Sequence, residues 1–182
     1  MTHSAAASGP RISLPTDEEL TPDIRSTLNA LPPLNVFRMM ARTPASFQPL
    51  IDFALSILVK SEFDPRKREI AVLRVAHATK AEYEWVQHVA VAKGVGLGDD
   101  EIEKIGADGP VTGLDEEGNL LCRVADEISL DVRLSDDALE QIIGRYGDQQ
   151  AMELVLCCSY FNMLSRLLES ARVELEDEPV LG

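Results

Sequence analysis

The sequence predicts an all-α protein, and three observations support that prediction. Proline follows a capping residue at Thr43-Pro44 and at Asp64-Pro65, an arrangement typical of a helix start. No segment has the pattern of a strand. Apolar residues recur instead at helical spacing, and the clearest series is Phe47, Leu50, Ile51, Ala54, Leu55 and Leu58. The expected architecture is a helical bundle.

Proline and capping residues delimit the first three predicted helices. A capping-box pattern covers residues 16–19, and Pro22 then opens a helix predicted over 22–31. Pro32-Pro33 stops that helix. A second short helix over 34–42 ends at Thr43-Pro44, where a third helix begins and extends to residue 60.

Two longer helices are predicted at the centre of the chain. The first, over 66–79, has a nearly continuous apolar body, and the second, over 82–93, ends at Gly94. Because residues 79–81 leave room only for a tight connection, we expect an antiparallel hairpin.

The last part of the chain is expected to hold four more helices. Their predicted ranges begin with a short helix from 99 or 100 to 105 and continue with 115–130, 136–146 and 149 to about 175. Ser135 caps the third of these helices, and Gly147 separates it from the fourth. Cys157 and Cys158 lie in the apolar run of the final helix, where cysteine usually behaves as a small buried hydrophobe.

Composition predicts one domain without nucleic-acid or membrane partners. Residues 1–12 are expected to be a disordered arm, and residues 13–182 a single domain. The formal net charge of −14 argues against binding a phosphate backbone. No apolar run approaches the roughly 20 residues of a membrane span, and the N-terminus lacks the pattern of a signal peptide. A cytoplasmic location is expected.

Three side chains of the central hairpin are candidate catalytic residues. Glu84 and His88 are four residues apart and should share one helix face. Glu69 lies about ten residues before the turn and His88 about seven after it, so at ~1.5 Å per residue the mismatch along the axis is only ~4–5 Å. A Glu–His–Glu cluster at the edge of apolar surface suits proton transfer. The alternative is a buried ion pair that fixes the helix register.

The residues around this cluster resemble a known family. Glu69, the tract Glu82-Tyr83-Glu84-Trp85-Val86-Gln87-His88 and the segment 160–168 resemble the carboxymuconolactone decarboxylase family, whose superfamily includes alkylhydroperoxidase D. The resemblance covers about residues 34–175. It implies an alkylhydroperoxidase D-like helical bundle around a central hairpin, a homo-oligomer (dimer, trimer or hexamer) and a site near subunit contacts.

The resemblance does not extend to the thiols of the peroxidase branch. That branch has a Cys-x-x-Cys-x-x-x-His motif with a Glu twelve residues before the first Cys. In this chain the Glu and His fall on Glu69 and His88, whereas the two Cys positions fall on Ala81 and Glu84. Peroxidase chemistry of that type needs a thiolate at those positions. Antioxidant activity is therefore the less favoured interpretation.

The decarboxylase branch matches better, because a Glu-aromatic-x-x-His tract replaces the cysteines there. The resemblance implies that His88 is the general acid and base, and that Glu69 or Glu84 orients it or relays protons. Candidate substrate-binding residues are Tyr83, Trp85 and Arg74, although each has a structural alternative: the aromatic rings in packing, the arginine in an ion pair.

The hypothesis drawn from the sequence is a carboxy-lyase-like enzyme that acts on a small molecule without a metal or organic cofactor. A metal site made by Glu84, His88 and Glu69 is disfavoured, since two-His or Cys-containing sets are the usual requirement. A non-catalytic helical oligomer that binds a ligand is the alternative function. Wide apolar faces on the central and final helices independently favour self-association.

Overall fold

Helices make up the regular structure of residues 11–177, the part of the chain that this computed structural model describes, and no strand occurs within that range. The all-α prediction is confirmed. The bounds are α1 Pro22–Asn29, α2 Asn35–Met40, α3 Pro44–Leu58, α4 Pro65–Thr79, α5 Glu82–Gly94, α6 Asp99–Ile105, α7 Glu116–Asp126 and α8 Asp136–Ala171. A 3₁₀ turn at Asp17–Glu19 precedes them, and a π-helical turn at Glu127–Asp131 extends α7.

Side-chain caps explain why these helices begin where the sequence indicates. The side chains of Thr21, Asp64, Asp115 and Ser135 each accept a hydrogen bond from the backbone N–H three residues further on. Thr43 was expected to act in the same way. It is the residue before α3, but its hydroxyl donates to the Met40 carbonyl instead, so Pro44 alone marks that start.

The ends of the helices differ from the predictions by a few residues. The first two helices stop at Asn29 and Met40, and the last ends at Ala171. The range of α8 spans both predicted C-terminal helices, and Gly147, whose backbone is not helical (φ 73°, ψ 170°), separates them by a kink, as expected. That backbone conformation is essentially restricted to glycine, which is why the kink falls at this residue.

Helix α4 lies at the centre of the molecule and packs against α5, α7 and α8. Its residues from Arg68 to Ala76 are all buried. The cysteines Cys122, Cys157 and Cys158 are also buried and unoxidised. Burial raises the pKa of Cys122 and of Cys158 to about 12, as expected of cysteines that pack as hydrophobes.

Segments at both ends of the described chain run beside α8. The Ile12 backbone N–H donates to the Ala171 carbonyl (3.3 Å). After α8, Arg172 has a positive φ of 56°, and the following segment returns to α2, where Glu176 accepts a hydrogen bond from the Asn35 backbone N–H (2.6 Å). The arm predicted at residues 1–12 lies almost entirely outside the described residues.

Helix α8 is long and apolar enough to cross a membrane by length and composition alone. This corrects the expectation that no segment approaches a membrane span. More than half of its most apolar window, 56%, is buried inside the protein, so α8 is accounted for as a core helix. The cytoplasmic location stays a prediction.

Candidate active site

The α4–α5 hairpin brings together the two residues predicted to pair across it. Lys80 connects the helices in a left-handed conformation (φ 59°), and the Ala81 backbone N–H donates to the Ala76 carbonyl (2.9 Å). This tight connection places His88 Nδ1 2.7 Å from Glu69 Oε2. The distance is that of a strong, charge-assisted hydrogen bond.

Glu69 has unusual surroundings for a carboxylate. Its side chain is fully buried, with 0% exposure. Oε2 is bound to His88, whereas Oε1 has no hydrogen-bond partner among the described residues. Arg68 Nε lies 3.5 Å from Oε1, which is close enough for electrostatic attraction but too long for a good hydrogen bond.

Glu84 is the second buried carboxyl group of the site. It is 2% exposed, and burial raises its pKa from 4.5 to about 7. The Ser165 hydroxyl of α8 hydrogen-bonds to Oε2 and partly opposes that rise, as does the nearby His88. Oε1 lacks a hydrogen-bond partner within residues 11–177. This carboxyl group therefore titrates near neutral pH.

The three candidate catalytic residues line one cavity of about 260 Å³. It lies between the α4–α5 hairpin, α8 and the segment around α2. Apart from Glu69, Glu84 and His88, its lining side chains are mostly apolar; they are Pro32, Leu34, Val36, Phe37, Met40, Ala54, Leu58, Arg68, Tyr83, Gln87, Val91, Tyr160, Phe161, Leu164 and Leu168. The Phe161 ring meets the imidazole of His88 edge-on, with centroids 4.9 Å apart.

Tyr83, one of the candidate substrate-binding residues, lies in the cavity wall, and its hydroxyl already makes two hydrogen bonds there. It donates to Glu176 (2.5 Å) and accepts from the Val36 backbone N–H (3.2 Å). Gln87 also donates to Glu176. The segment after α8 is therefore fastened to the cavity wall through one carboxylate.

The other two predicted substrate-binding residues lie away from the cavity. Arg74 forms a bidentate ion pair with Asp126 of α7 (2.6 and 2.9 Å) and donates to three backbone carbonyls, one at the end of α6 and two in the loop after it. Trp85 packs so closely on Gly106 that a Cβ added there would lie 2.8 Å from the indole. Both have the structural surroundings that the sequence left open as alternatives.

Sequence reasoning missed Arg68, the arginine that does line the cavity. Attention fell on Arg74 because that residue interrupts an apolar run. Arg68, however, shares a helical stripe with Ala71, Val72 and Val75, and this spacing was the available signal that it faces the protein interior. Ser165 was also missed, because its contact with Glu84 joins residues 81 positions apart.

The site offers no recognisable metal-binding set. Residues 11–177 contain no group of three or more His, Cys, Asp or Glu side chains placed to hold a metal ion. At the positions where the peroxidase motif has cysteines, this chain has Ala81, which is buried, and Glu84. The arrangement can orient an imidazole and hold protons beside apolar surface.

The fold is that of an alkylhydroperoxidase D-like helical bundle, built around the hairpin that carries the Glu69–His88 pair. Within it, residues 44–126 match the model of the carboxymuconolactone decarboxylase family. The resemblance found in the sequence is thereby confirmed, over the region that contains Glu69, Glu84 and His88. No curated protein sequence matches the chain.

Three solved structures share the fold. An alkylhydroperoxidase AhpD core described as an uncharacterised peroxidase-related protein, from Ralstonia eutropha JMP134, superposes with a TM-score of 0.81 at 17% identity, covering 96% of this chain and 97% of that one. An uncharacterised peroxidase-related protein from Silicibacter sp. TM1040 gives 0.81 at 14%, covering 98% and 97%. A protein of unknown function from Agrobacterium tumefaciens gives 0.63 at 18%, covering 74% and 93%. At these identities the likeness establishes the fold alone.

Proposed function

We propose that this protein is a small-molecule enzyme of the decarboxylase-like type, which lacks the motif cysteines. It transfers protons through His88 in a decarboxylation or a related lyase reaction. The observation that carries the proposal is the 2.7 Å hydrogen bond between Glu69 and His88 in the wall of an apolar cavity. A basic side chain that a buried carboxylate orients is a recurring arrangement in acid–base catalysis.

The Glu69 carboxylate determines which nitrogen of His88 is reactive. An ionised carboxylate only accepts hydrogen bonds, so Nδ1 must carry the proton that lies between the two groups. Nε2 is then the basic atom, which takes a proton from the substrate or returns one to it. The carboxylate also stabilises the imidazolium that forms during the transfer.

Glu84 supplies a second proton-holding group in the same wall. Because burial raises its pKa to about 7, it can be protonated or ionised at neutral pH with little free-energy difference, which is the property wanted of a catalytic acid or base. Loss of carbon dioxide leaves an enolate-like carbanion that must receive a proton on carbon. Glu84 and His88 are the groups proposed to deliver it.

The test compares two histidines of the hairpin. Carbon dioxide release is measured with carboxymuconolactone, which carries two carboxylates, and with related lactone acids that carry one. His88→Gln is expected to lower turnover about 10²–10⁴-fold while circular dichroism and the melting temperature stay close to wild type. His77→Gln is the matched control, because His77 lies outside the cavity, 3.5 Å from Asp108. Turnover that survives His88→Gln would refute the proposal.

The apolar cavity also favours a second candidate function, a non-catalytic ligand-binding protein. Small-molecule sites are mostly apolar with a few placed polar groups, which describes this cavity. In that case, the Glu69–His88 pair is a structural ion network. His88→Gln would then lower the melting temperature by several degrees, on the scale of roughly 1–3 kcal/mol, and no substrate would be turned over.

Thiol peroxidase activity is the least supported function, although two structural neighbours are described as peroxidase-related. The only thiols of the chain are buried, and burial raises the pKa of each. A thiol held in its protonated form is a poor nucleophile. Peroxide consumption that is abolished by Cys157→Ser or Cys158→Ser would overturn this conclusion.

We also propose that the protein is a homo-oligomer, either a dimer, a trimer or a hexamer. Exposed apolar side chains follow one another along α8 at Met152, Leu156, Met163 and Leu167. Their spacing places them on one helix face, and an apolar stripe of this kind is typical of a subunit contact. Sedimentation as a monomer at micromolar concentration would contradict the proposal.

A further inference from the structure

We infer that Arg68 binds the anionic group of the ligand that occupies this cavity, and that the ligand is a small monoanion with an apolar body. The inference rests on the proposed function, because it assigns the ligand class of the same site. It adds a residue that the sequence did not single out and a charge that the family resemblance does not specify.

The guanidinium of Arg68 is buried, and its Nε lacks, among residues 11–177, the hydrogen-bond partner that a buried arginine nitrogen normally has. The residue is 7% exposed. Its nearest carboxylate oxygen, Glu69 Oε1, is 3.5 Å away and also lacks a hydrogen bond. Buried polar groups that lack partners are rare in folded proteins and require an explanation. A ligand in the cavity supplies one, because Arg68 lines that cavity.

The chemistry of the guanidinium determines the group that it would bind. It carries five N–H donors in a planar fork that matches a carboxylate in a bidentate manner. It cannot lose its proton under physiological conditions, so its partner has to be an acceptor and preferably an anion. Such charge-assisted pairs are the strongest hydrogen bonds that a protein makes.

The other charges of the wall limit the ligand to one anionic group. Glu69 already faces Arg68, and Glu84 lies in the same wall. Among the described residues that line the cavity, Arg68 and His88 are the only basic side chains. A second carboxylate on the ligand would therefore be desolvated against apolar side chains or against Glu84, at a large cost.

The size and lining of the cavity define the rest of the ligand. An apolar cavity of about 150 Å³ is large enough to hold benzene, so 260 Å³ accommodates a six-membered ring or a short chain together with a carboxylate. Phe161, Leu164 and Tyr160 from α8 form one apolar side of it. These contacts suit a hydrocarbon body.

The experiment measures binding rather than turnover, by NMR titration of the full-length protein. The probes are two matched sets, hexanoate, hexanamide and adipate, and benzoate, benzamide and terephthalate. In each set the monoanion is expected to bind at least about tenfold more tightly than the neutral amide and the dianion, as expected for a charge-assisted hydrogen bond. In Arg68→Gln the preference over the amide should fall to about one.

Matched variants show whether the effect belongs to Arg68. Arg66→Gln removes a positive charge from the same helix at an arginine that pairs with Glu101 outside the cavity, and it should keep the wild-type preference. Arg68→Lys keeps the charge without the fork and should retain part of it. Equal preference in wild type and Arg68→Gln, tighter binding of the dianions, or no binding of either monoanion overturns the inference.

Failure of the inference can be told apart from failure of the proposed function. If His88→Gln retains turnover while the monoanion preference still depends on Arg68, the catalytic proposal fails and the ligand assignment stands. If Arg68→Gln leaves the binding preference unchanged while His88→Gln abolishes turnover, only the ligand assignment fails.

Discussion

The two buried arginines of α4 differ in how their hydrogen-bonding capacity is used. Arg74 is 3% exposed and donates to both oxygens of Asp126 and to three backbone carbonyls. Arg68, six residues earlier, is 7% exposed, and the one polar contact of its side chain with the part of the chain that the structure describes is the 3.5 Å approach to Glu69. One helix therefore carries one arginine that is saturated by the fold and one that is not.

This difference distinguishes a buried charge that stabilises the fold from one that is available to bind a ligand. A buried charge whose partners are all supplied by the protein fixes the packing of the elements that supply them, here α4, α7 and the loop after α6. A buried charge without partners costs free energy in the unliganded protein. Natural proteins keep such groups chiefly where something else is to be bound.

The largest expected effect tests this comparison through stability. Arg74→Met leaves Asp126 and three carbonyls without their donor, so the free energy of unfolding should fall by about 3–5 kcal/mol. Arg68→Met removes only the 3.5 Å contact with Glu69, which keeps its hydrogen bond to His88, so the loss should be smaller, about 1–2 kcal/mol. Urea unfolding of both variants measures the contrast, and similar losses in the two would show that the arginines have the same role.

A second effect concerns the contribution of Glu84 to the pH dependence of the protein's stability. The pKa of Glu84 is raised by burial from 4.5 to about 7, so the folded protein binds this proton more tightly than the unfolded chain does. Its contribution to stability is thus lost as pH rises from about 4.5 to above 7, by about 3 kcal/mol in total.

Glu84→Gln should abolish that loss. The variant should equal wild type near pH 4.5 and exceed it by up to about 3 kcal/mol at pH 8, as measured by urea unfolding across this range. Glu82→Gln is the control, since Glu82 is exposed on the same helix and its substitution should leave the pH profile unchanged. Parallel profiles for wild type and Glu84→Gln would contradict the assignment of this carboxyl group.

The smallest effect is expected at the junction of the hairpin, where neither arginine is touched. Lys80 has a positive φ of 59°, a conformation that costs an L-residue about 1–2 kcal/mol and glycine almost nothing. Glycine also increases the conformational entropy of the unfolded chain, which offsets part of this gain. Lys80→Gly should therefore stabilise the protein by about 0.5–1 kcal/mol. Ligand preference should not change, and a shift in it would show that this connection controls the register of the site.

The fold was largely predictable because its signals are local. Capping residues such as Asp64 and Ser135 act on backbone groups three positions away, and Gly147 marks its kink through its own backbone conformation. The proximity of Glu69 and His88 also followed from local geometry, since a tight turn between two helices leaves few registers.

The remaining features of the site depend on contacts between distant parts of the chain. Tyr83 meets Glu176 across 93 positions, and Ser165 meets Glu84 across 81. Arg68 and Arg74 look alike in the sequence, and they differ in the distant partners, Asp126 and three backbone carbonyls, that the fold brings to Arg74. Residue spacing on one helix cannot reveal what another helix supplies.

Arg68, Glu69 and Glu84 each have a buried polar atom without a hydrogen-bond partner within residues 11–177. A ligand that binds to these atoms should raise the melting temperature, so the melting temperature can be used to search for the substrate. A molecule that binds the folded state alone stabilises it by about 2.7 kcal/mol at a concentration of 100 Kd. For a domain of this size, each kcal/mol raises the melting temperature by roughly 2–4 °C. A library of small monoanions can therefore be screened by thermal shift before any reaction is known. The Arg68→Gln variant is the negative control, because it should not respond to ligands that bind through Arg68.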